Sequence, residues 1–120
     1  MTMMPNKVLL VEDEMLIAME MEEILTELGF EVVGPAMRLK RAVELAQSQE
    51  IDLALLDVNL AGEKSFPVAR LLKDRNVPFA FVTGYGAAGL SEEFRDTPVL
   101  QKPVEKHQVA TAINAICCRA

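Results

Sequence analysis

A chain of 120 residues is long enough for one compact domain and leaves little room for a second. Hydrophobic residues make up 51% and charged residues 25%, which are ordinary values for a globular protein in water. Eighteen acidic and twelve basic side chains give a formal charge of −6, which disfavours binding to nucleic acid because its phosphates attract clustered Lys and Arg. Proteins and divalent cations remain as expected partners of an acidic domain.

The sequence has no segment typical of export or of membrane insertion. The first residues contain Pro5 and Asn6 and lack the apolar run of a signal peptide. No stretch approaches the roughly 18 to 20 apolar residues that cross a bilayer. The two cysteines, Cys117 and Cys118, are adjacent and would point about 100° apart on a helix, so we expect no disulfide between them. The sequence therefore predicts a cytoplasmic protein that does not bind membranes.

In the first part of the chain, two short apolar runs flank a segment with helical period. Lys7–Val11 is apolar after its first residue, which is typical of a strand covered on both faces. Apolar residues then recur at helical spacing up to Gly29, which is well placed to end that helix in a left-handed conformation. Residues 31–33 predict a second strand, which Gly34 and Pro35 are expected to stop.

The middle of the chain repeats this alternation. Apolar residues from Leu39 to Ala46 predict a second helix. Residues 53–56 predict a buried third strand with Asp57 at its end. Residues 64–73 predict a third helix, with Pro67 near its start, where a missing N–H costs little.

The last part is predicted to hold two more strands, Phe79–Thr83 and Val99–Gln101, and a final helix over residues 104–118. Residues 84–97 contain three glycines and no firm period, so only a short helix around residues 91–94 is expected there. The alternation of strands and helices along the whole chain predicts a mostly parallel sheet with helices on both faces.

Polar side chains stand at the ends of the predicted strands, where function gathers in such sheets. They are Glu12 and Asp13 after the first strand, Asp57 at the third, Thr83 at the fourth and Lys102 after the fifth. Each alone has an ordinary explanation as a helix N-terminal charge, an N-cap or a turn residue. Their joint occurrence at four strand ends favours a single functional site.

The expected chemistry of this set is phosphoryl transfer. Three neighbouring carboxylates repel one another, and a hard divalent cation such as Mg²⁺ would relieve that repulsion. Lys102 can place a positive charge on a phosphoryl oxygen, and Thr83 can donate a hydrogen bond from its hydroxyl. With Asp57 as the nucleophile, the set would stabilise the transfer electrostatically.

Four signatures resemble the receiver domain of bacterial response regulators, and the similarity covers essentially the whole chain. They are VLLVEDE at residues 8–14, LALLDVNLAGE at 53–63, FVTGYG at 81–86 and QKP at 101–103. The resemblance implies an α/β fold, a five-stranded parallel sheet flanked by five helices. It also implies that Asp57 accepts a phosphoryl group from the phosphohistidine of a histidine kinase.

The resemblance further implies a role for each side chain of the site. Asp13 and Asp57 would bind Mg²⁺ directly, Glu12 would act through water, and Asn59 would contribute its backbone carbonyl. Thr83 and Lys102 would contact the phosphoryl oxygens.

Val99 departs from the family pattern. Receivers typically carry Tyr or Phe at this position, and that ring turns inward on phosphorylation, which a valine cannot do. The chain instead has Tyr85 within PFAFVTGYG at residues 78–86, which resembles receivers with a PFxFxTGY motif, known mostly from alphaproteobacteria and often paired with HWE-type histidine kinases. We hypothesise that reordering of residues 85–93, with Tyr85 as the switch, replaces the aromatic switch; alternatively, Tyr85 only covers the mouth of the site.

The resemblance implies a single receiver domain over residues 1–120 with no output domain. Such a protein is a phosphoacceptor rather than an enzyme, and it would act as an adaptor for a downstream protein or as a phosphate sink. A small phosphatase of the haloacid-dehalogenase type is a weaker alternative, because Asn59 stands where those enzymes need an Asp as acid and base. A binding module that keeps the fold without being phosphorylated is a third.

Overall fold

The computed structural model describes residues 6–84 and 89–117, and it contains one five-stranded parallel sheet. The sheet consists of β1 (Lys7–Val11), β2 (Glu31–Ala36), β3 (Leu53–Asp57), β6 (Phe79–Thr83) and β7 (Val99–Gln101), and a separate antiparallel ladder joins β4 (Asn59–Leu60) to β5 (Glu63–Lys64). The strand order is β2-β1-β3-β6-β7, and every neighbouring pair is parallel. The predicted fold class is confirmed.

Four α-helices cover the two faces of the sheet within the described ranges: α1 (Met15–Glu27), α2 (Leu39–Ser48), α3 (Phe66–Asp74) and α4 (Lys106–Cys117). Successive strand residues point to opposite faces. Leu56 therefore lies in the apolar cluster under α2 and α3, and Leu55 lies in the cluster under α1 and α4. In these described ranges, no helix is both long and apolar enough to cross a membrane.

The α1 helix ends as its sequence predicts. Gly29 adopts φ +94°, and its N–H donates to the carbonyl of Thr26 at 3.0 Å. The N–H of Phe30 donates to the carbonyl of Leu25 at 2.9 Å. These two bonds form a Schellman motif, which returns the chain toward the start of β2.

The second strand is longer than predicted, because Gly34 and Pro35 do not stop it. Leu9 is paired with Val33 and Val11 with Ala36, so two residues of β2, Gly34 and Pro35, oppose Leu10 of β1 in a bulge. Gly34 adopts φ +104° there, and a Cβ atom at this position would lie 2.7 Å from the Ala36 nitrogen. An edge strand tolerates Pro because its missing N–H can face away from the ladder.

The prediction of five helices is wrong for the described residues. The segment expected to hold a short helix contains one 3₁₀ turn, Glu92–Phe94, whose Phe94 is buried. Pro98, which cannot donate a backbone hydrogen bond, lies four residues beyond Phe94 and limits how far a helix could continue after this turn. The third helix also begins two residues later than predicted, at Phe66, because β5 takes up the preceding residues.

Candidate functional site

Asp57 is the last residue of β3, the central strand of the sheet. Every residue of β3 is buried, and the strand is paired with β1 on one side and β6 on the other. The Asp57 side chain is consequently only 8% exposed. Thr83 ends the adjacent β6 and is also buried. Both side chains line the same cleft at the carboxyl edge of the sheet.

The acidic pair follows β1 at the same edge. Glu12 is buried, its N–H donates to the carbonyl of Ala36 at 3.0 Å, and its carboxylate accepts the N–H of Glu14 at 3.2 Å. Asp13 is half-buried, and its carboxylate accepts the N–H of Ala61 at 2.9 Å. The acidic pair is thus held by backbone from neighbouring segments rather than left to solvent.

Ala61 lies in the tight turn between β4 and β5. Ala61 and Gly62 both have positive φ, +50° and +90°, as the two central residues of a type I′ hairpin turn require. This hairpin was not expected from the sequence. Its signal was the Ala–Gly pair, which is weaker than the usual Asn–Gly or Asp–Gly. The turn places the Ala61 N–H at the Asp13 carboxylate.

Lys102 extends past the end of β7 into this group of carboxylates. Its N–H donates to the carbonyl of Thr83 at 2.9 Å, which fixes the backbone beside β6. Its Nζ lies 3.1 Å from Glu12 Oε1 and 3.2 Å from Asp57 Oδ2, and its side chain is 16% exposed. The sequence predicts Lys102 in the site but not its ion pair with Glu12.

Because the charged groups of the site lie close together, they shift one another's pKa values. Burial, with the negative charge of Glu12, raises the pKa of Asp57 to about 7 against the lowering effect of Lys102. Burial would also raise the pKa of Asp13, but the Ala61 N–H and the contact with Asp57 outweigh it and hold that pKa below its ordinary value. Burial lowers the pKa of Lys102, yet its carboxylate partners, Glu12 foremost, raise that pKa overall. Shifted pKa values of three groups in one cleft are typical of a functional site.

The carboxylates of this cleft fit a hard divalent cation. Glu12, Asp13 and Asp57 each offer one oxygen, and these three oxygens lie within 4.8 Å of one another. The cleft has a volume of about 410 Å³ and is lined by Asp13, Glu14, Asp57, Asn59, Thr83, Gly84 and Lys102. Mg²⁺ binds through a small number of carboxylates and keeps waters or phosphate oxygens in its remaining positions, for which such an open cleft leaves room.

The structure therefore brings together five of the predicted side chains, and Asn59 lies half-buried in the same cleft. Tyr85 lies outside the described residues, and its role as a switch stays a prediction. Val99 is half-buried and paired with Phe81, and it packs against the apolar cluster under α2 and α3.

Comparison with known proteins identifies relatives along nearly the whole chain. The family described as "Response regulator receiver domain" matches residues 8–114. PdtaR, a transcriptional regulatory protein of Mycobacterium tuberculosis, is 33% identical over 93% of this chain and 55% of its own length. The phyllosphere-induced regulator PhyR of Methylorubrum extorquens is 36% identical over 92% of this chain and 43% of its own length. The chain thus spans about half the length of these curated relatives.

Solved structures extend the similarity. The solution structure of SdrG from Sphingomonas melonis Fr1 has a TM-score of 0.83 and 43% identity, and the match covers 93% of this chain and 96% of that one. A second match is the BeF3-activated conformation of SdrG from Pseudomonas melonis Fr1, with a TM-score of 0.79, 44% identity, and coverage of 92% of this chain and 95% of that one.

Proposed function

The chain belongs to the response regulator receiver domain family, and on that premise we propose that Asp57 accepts a phosphoryl group from the phosphohistidine of a histidine kinase. Members of this family are phosphoacceptor signalling modules rather than classical enzymes. The observation that carries the proposal is the convergence of a buried carboxylate, two further acids and one lysine in a single cleft.

The residues of the cleft can perform each part of this transfer. An oxygen of the Asp57 carboxylate attacks phosphorus, the P–N bond to the kinase histidine breaks, and an aspartyl phosphate forms. Lys102 Nζ, already 3.2 Å from Asp57 Oδ2, is within reach of an oxygen of the incoming phosphoryl group. The Thr83 hydroxyl would donate to another of these oxygens.

Asp13 and Asp57 would hold Mg²⁺ directly, Glu12 would act through water, and Asn59 would supply its backbone carbonyl. Bound Mg²⁺ would neutralise part of the negative charge that the phosphoryl oxygens bring to the site. The Ala61 N–H at 2.9 Å orients one oxygen of Asp13 and leaves the other for the cation. This arrangement would reduce the charge repulsion among the three acids and the phosphoryl group.

The proposal is tested by phosphorylation with acetyl phosphate, a small donor that needs no kinase. We expect Mg²⁺-dependent addition of one phosphoryl group to the wild-type protein, detected by intact mass and by phosphate-affinity electrophoresis. Asp57→Asn should abolish it. Asp74→Asn, which changes an exposed carboxylate at the end of α3, is the matched control and should be phosphorylated normally.

Absence of labelling in the wild-type protein would favour the alternative of a binding module that only keeps the fold. Catalytic turnover of a general phosphatase substrate would instead favour the phosphatase alternative. Absence of labelling would overturn phosphoryl acceptance by Asp57, and phosphatase turnover would overturn the role of a signalling module, because a phosphatase of this type also takes the phosphoryl group on its nucleophilic Asp.

The first turns of α1 offer a surface on which the kinase can bind. Met15, Leu16 and Met19 are 62%, 77% and 59% exposed, although large apolar side chains are usually covered. The helix starts two residues after Asp13, so this surface adjoins the cleft. We propose that it contacts apolar side chains around the kinase histidine. Pairing with an HWE-type kinase stays a prediction supported by the PFxFxTGY resemblance.

The output after phosphorylation can be an adaptor interaction or a phosphate sink. The related SdrG adopts a BeF3-activated conformation, and a change of conformation is what an adaptor needs. We therefore propose the adaptor role. Capture of a partner only by the phosphorylated form would support it, whereas fast hydrolysis of the aspartyl phosphate without any such partner would indicate a sink.

A further inference from the structure

One face of α3 holds the 3₁₀ turn by three contacts. Phe66, Arg70 and Lys73 are spaced so that they lie on the same side of the helix. The ring of Phe66 stacks on Phe94 with centroids 5.4 Å apart. Arg70 donates from Nε at 3.0 Å and from Nη2 at 2.6 Å to Glu93 Oε1, and Lys73 Nζ lies 5.6 Å from the Phe94 centroid.

The turn also contacts the strand that ends in Thr83. Phe94 is fully buried, and its ring centroid lies 5.5 Å from that of Phe81. Phe81 precedes Thr83 by two residues, so both side chains point to the same face of the sheet. Val99 is paired with Phe81, and because its side chain is small, room remains on this face for Phe94.

The segment before the turn also lies near the residue that follows the phosphoacceptor strand. A Cβ atom added to Gly89 would be at ordinary contact distance, 3.9 Å, from Val58 Cγ1. Val58 directly follows Asp57, and its N–H donates to the carbonyl of Val82 at 3.3 Å. Changes at Asp57 and at Thr83 can therefore both reach the segment that carries the turn.

In this structure Lys102 Nζ bonds to the carboxylates of Glu12 and Asp57, and phosphorylation of Asp57 would change these partners. We propose that the Arg70–Glu93 ion pair is a latch that stabilises the unphosphorylated position of the 3₁₀ turn and is released when Asp57 is phosphorylated. This inference rests on the proposed function and specifies how its signal leaves the site.

A latch of this kind has a thermodynamic consequence. An interaction that is present in the unphosphorylated form and lost in the phosphorylated form opposes phosphorylation by its own free energy. Breaking the ion pair should therefore strengthen the binding of a phosphoryl mimic. An ion pair of equal strength in both forms would leave that binding unchanged.

The test is the affinity of BeF3⁻ in the presence of Mg²⁺, followed by ¹H–¹⁵N spectra that include the Phe94 amide. We expect Arg70→Gln and Glu93→Gln each to raise the affinity roughly 1.5- to fivefold, the range that exposed ion pairs supply. The charge-swapped variant Arg70→Glu with Glu93→Arg should return toward the wild-type value. Both side chains are about half exposed, so these variants should fold.

Glu92→Gln is the matched control. It breaks the pair between Arg95 Nη2 and Glu92 Oε1, which are 3.0 Å apart and belong to one segment, so this pair does not join the turn to α3. Its BeF3⁻ affinity should equal that of the wild type. A wild-type protein that does not bind BeF3⁻ would overturn the proposed function and the latch with it. Normal wild-type binding together with unchanged or weaker binding by Arg70→Gln and Glu93→Gln would overturn the latch alone.

Discussion

Lys102 Nζ lies 3.2 Å from Asp57 Oδ2 and 3.1 Å from Glu12 Oε1, so one ammonium group occupies oxygens of two of the three carboxylates that would bind a cation. The lysine and a divalent cation are therefore competitors for the same negative charge before phosphorylation. After phosphorylation they would act together, because the phosphoryl oxygens add negative charge for both.

Replacing this lysine should separate metal binding from phosphorylation. We expect Lys102→Met to bind Mg²⁺ more tightly, because a repelling positive charge is removed. Phosphorylation by acetyl phosphate should slow by roughly 10- to 100-fold, somewhat less than the loss caused by deleting an oxyanion-hole donor. Calorimetric Mg²⁺ titration and phosphate-affinity electrophoresis measure the two effects.

Lys106→Met provides the control, because Lys106 is exposed and pairs, at 3.5 Å, with Glu27 at the far end of α1 from the cleft. It should change neither quantity. Weaker Mg²⁺ binding by Lys102→Met would contradict the competition between the lysine and the cation.

The stability of the metal-free protein should depend on the protonation of Asp57. Its pKa of about 7 in the folded protein exceeds the ordinary value of 3.8, mainly because of burial and the charge of Glu12. Between pH 3.8 and pH 7 the folded protein holds a proton on Asp57 that the unfolded chain has released. The contribution of Asp57 to the free energy of unfolding is therefore fully present below pH 3.8 and is lost as the pH rises through 7. Asp57→Asn mimics the protonated form and should remove this loss.

We therefore expect Asp57→Asn to stabilise the metal-free protein, with a gain about 1 to 2 kcal/mol larger at pH 8 than at pH 5. Urea unfolding in the presence of a chelator measures this difference. Mg²⁺ should then stabilise the wild type more than the variant. An equal gain at both pH values would show that the pKa of Asp57 is not raised.

The exposed surface of α1 should matter for the kinase and not for a small phosphodonor. Leu16→Ser and Met19→Ser should each slow phosphotransfer from the cognate kinase roughly tenfold or more, since burial of such a side chain at an interface stabilises it considerably. Phosphorylation by acetyl phosphate should be unchanged. Thr26→Ala, on the exposed far end of α1, is the control. Equal slowing with both donors would place the defect in the cleft instead.

Two glycines with similar φ should respond differently to Ala. Gly34 at φ +104° has no space for a Cβ atom, which would lie 2.9 Å from the Leu10 carbonyl oxygen. Gly29 at φ +94° has nothing within 4 Å of that position. We expect Gly34→Ala to cost about 3 kcal/mol of unfolding free energy and Gly29→Ala about 1 kcal/mol. Equal losses of unfolding free energy in the two variants would mean that the positive φ alone requires glycine at position 34, and that the crowding in the bulge does not.

Much of the sheet could be predicted from the sequence because most of its strands are apolar runs that end at polar or turn-forming residues. Lys7–Val11, Phe79–Thr83 and Val99–Gln101 have the predicted bounds for this reason. Gly34 and Pro35 interrupt the pattern of β2 locally, and only the ladder with β1 shows that the strand continues past them. The 3₁₀ turn replaces the expected helix because burial of Phe94, rather than helical period, organises that segment.

The residues of the site could likewise be predicted, because the ends of the strands in a parallel sheet meet at one edge. The contacts that each of these residues makes within the site could not be predicted. Contacts such as Lys102 with Glu12, or Asp13 with Ala61, join residues 90 and 48 positions apart. Their existence depends on side-chain reach and turn geometry, which no local pattern encodes. The individual roles of these residues, and the absence of an output domain, stay predictions.

The outer strands of the sheet are β2 and β7, and each is poorly suited to pair with another chain. The bulge and Pro35 interrupt the free edge of β2, while β7 has only three residues. Irregular or short edges hinder the strand-to-strand addition through which sheets aggregate. The sheet should therefore resist amyloid-like, edge-to-edge association between copies of the chain.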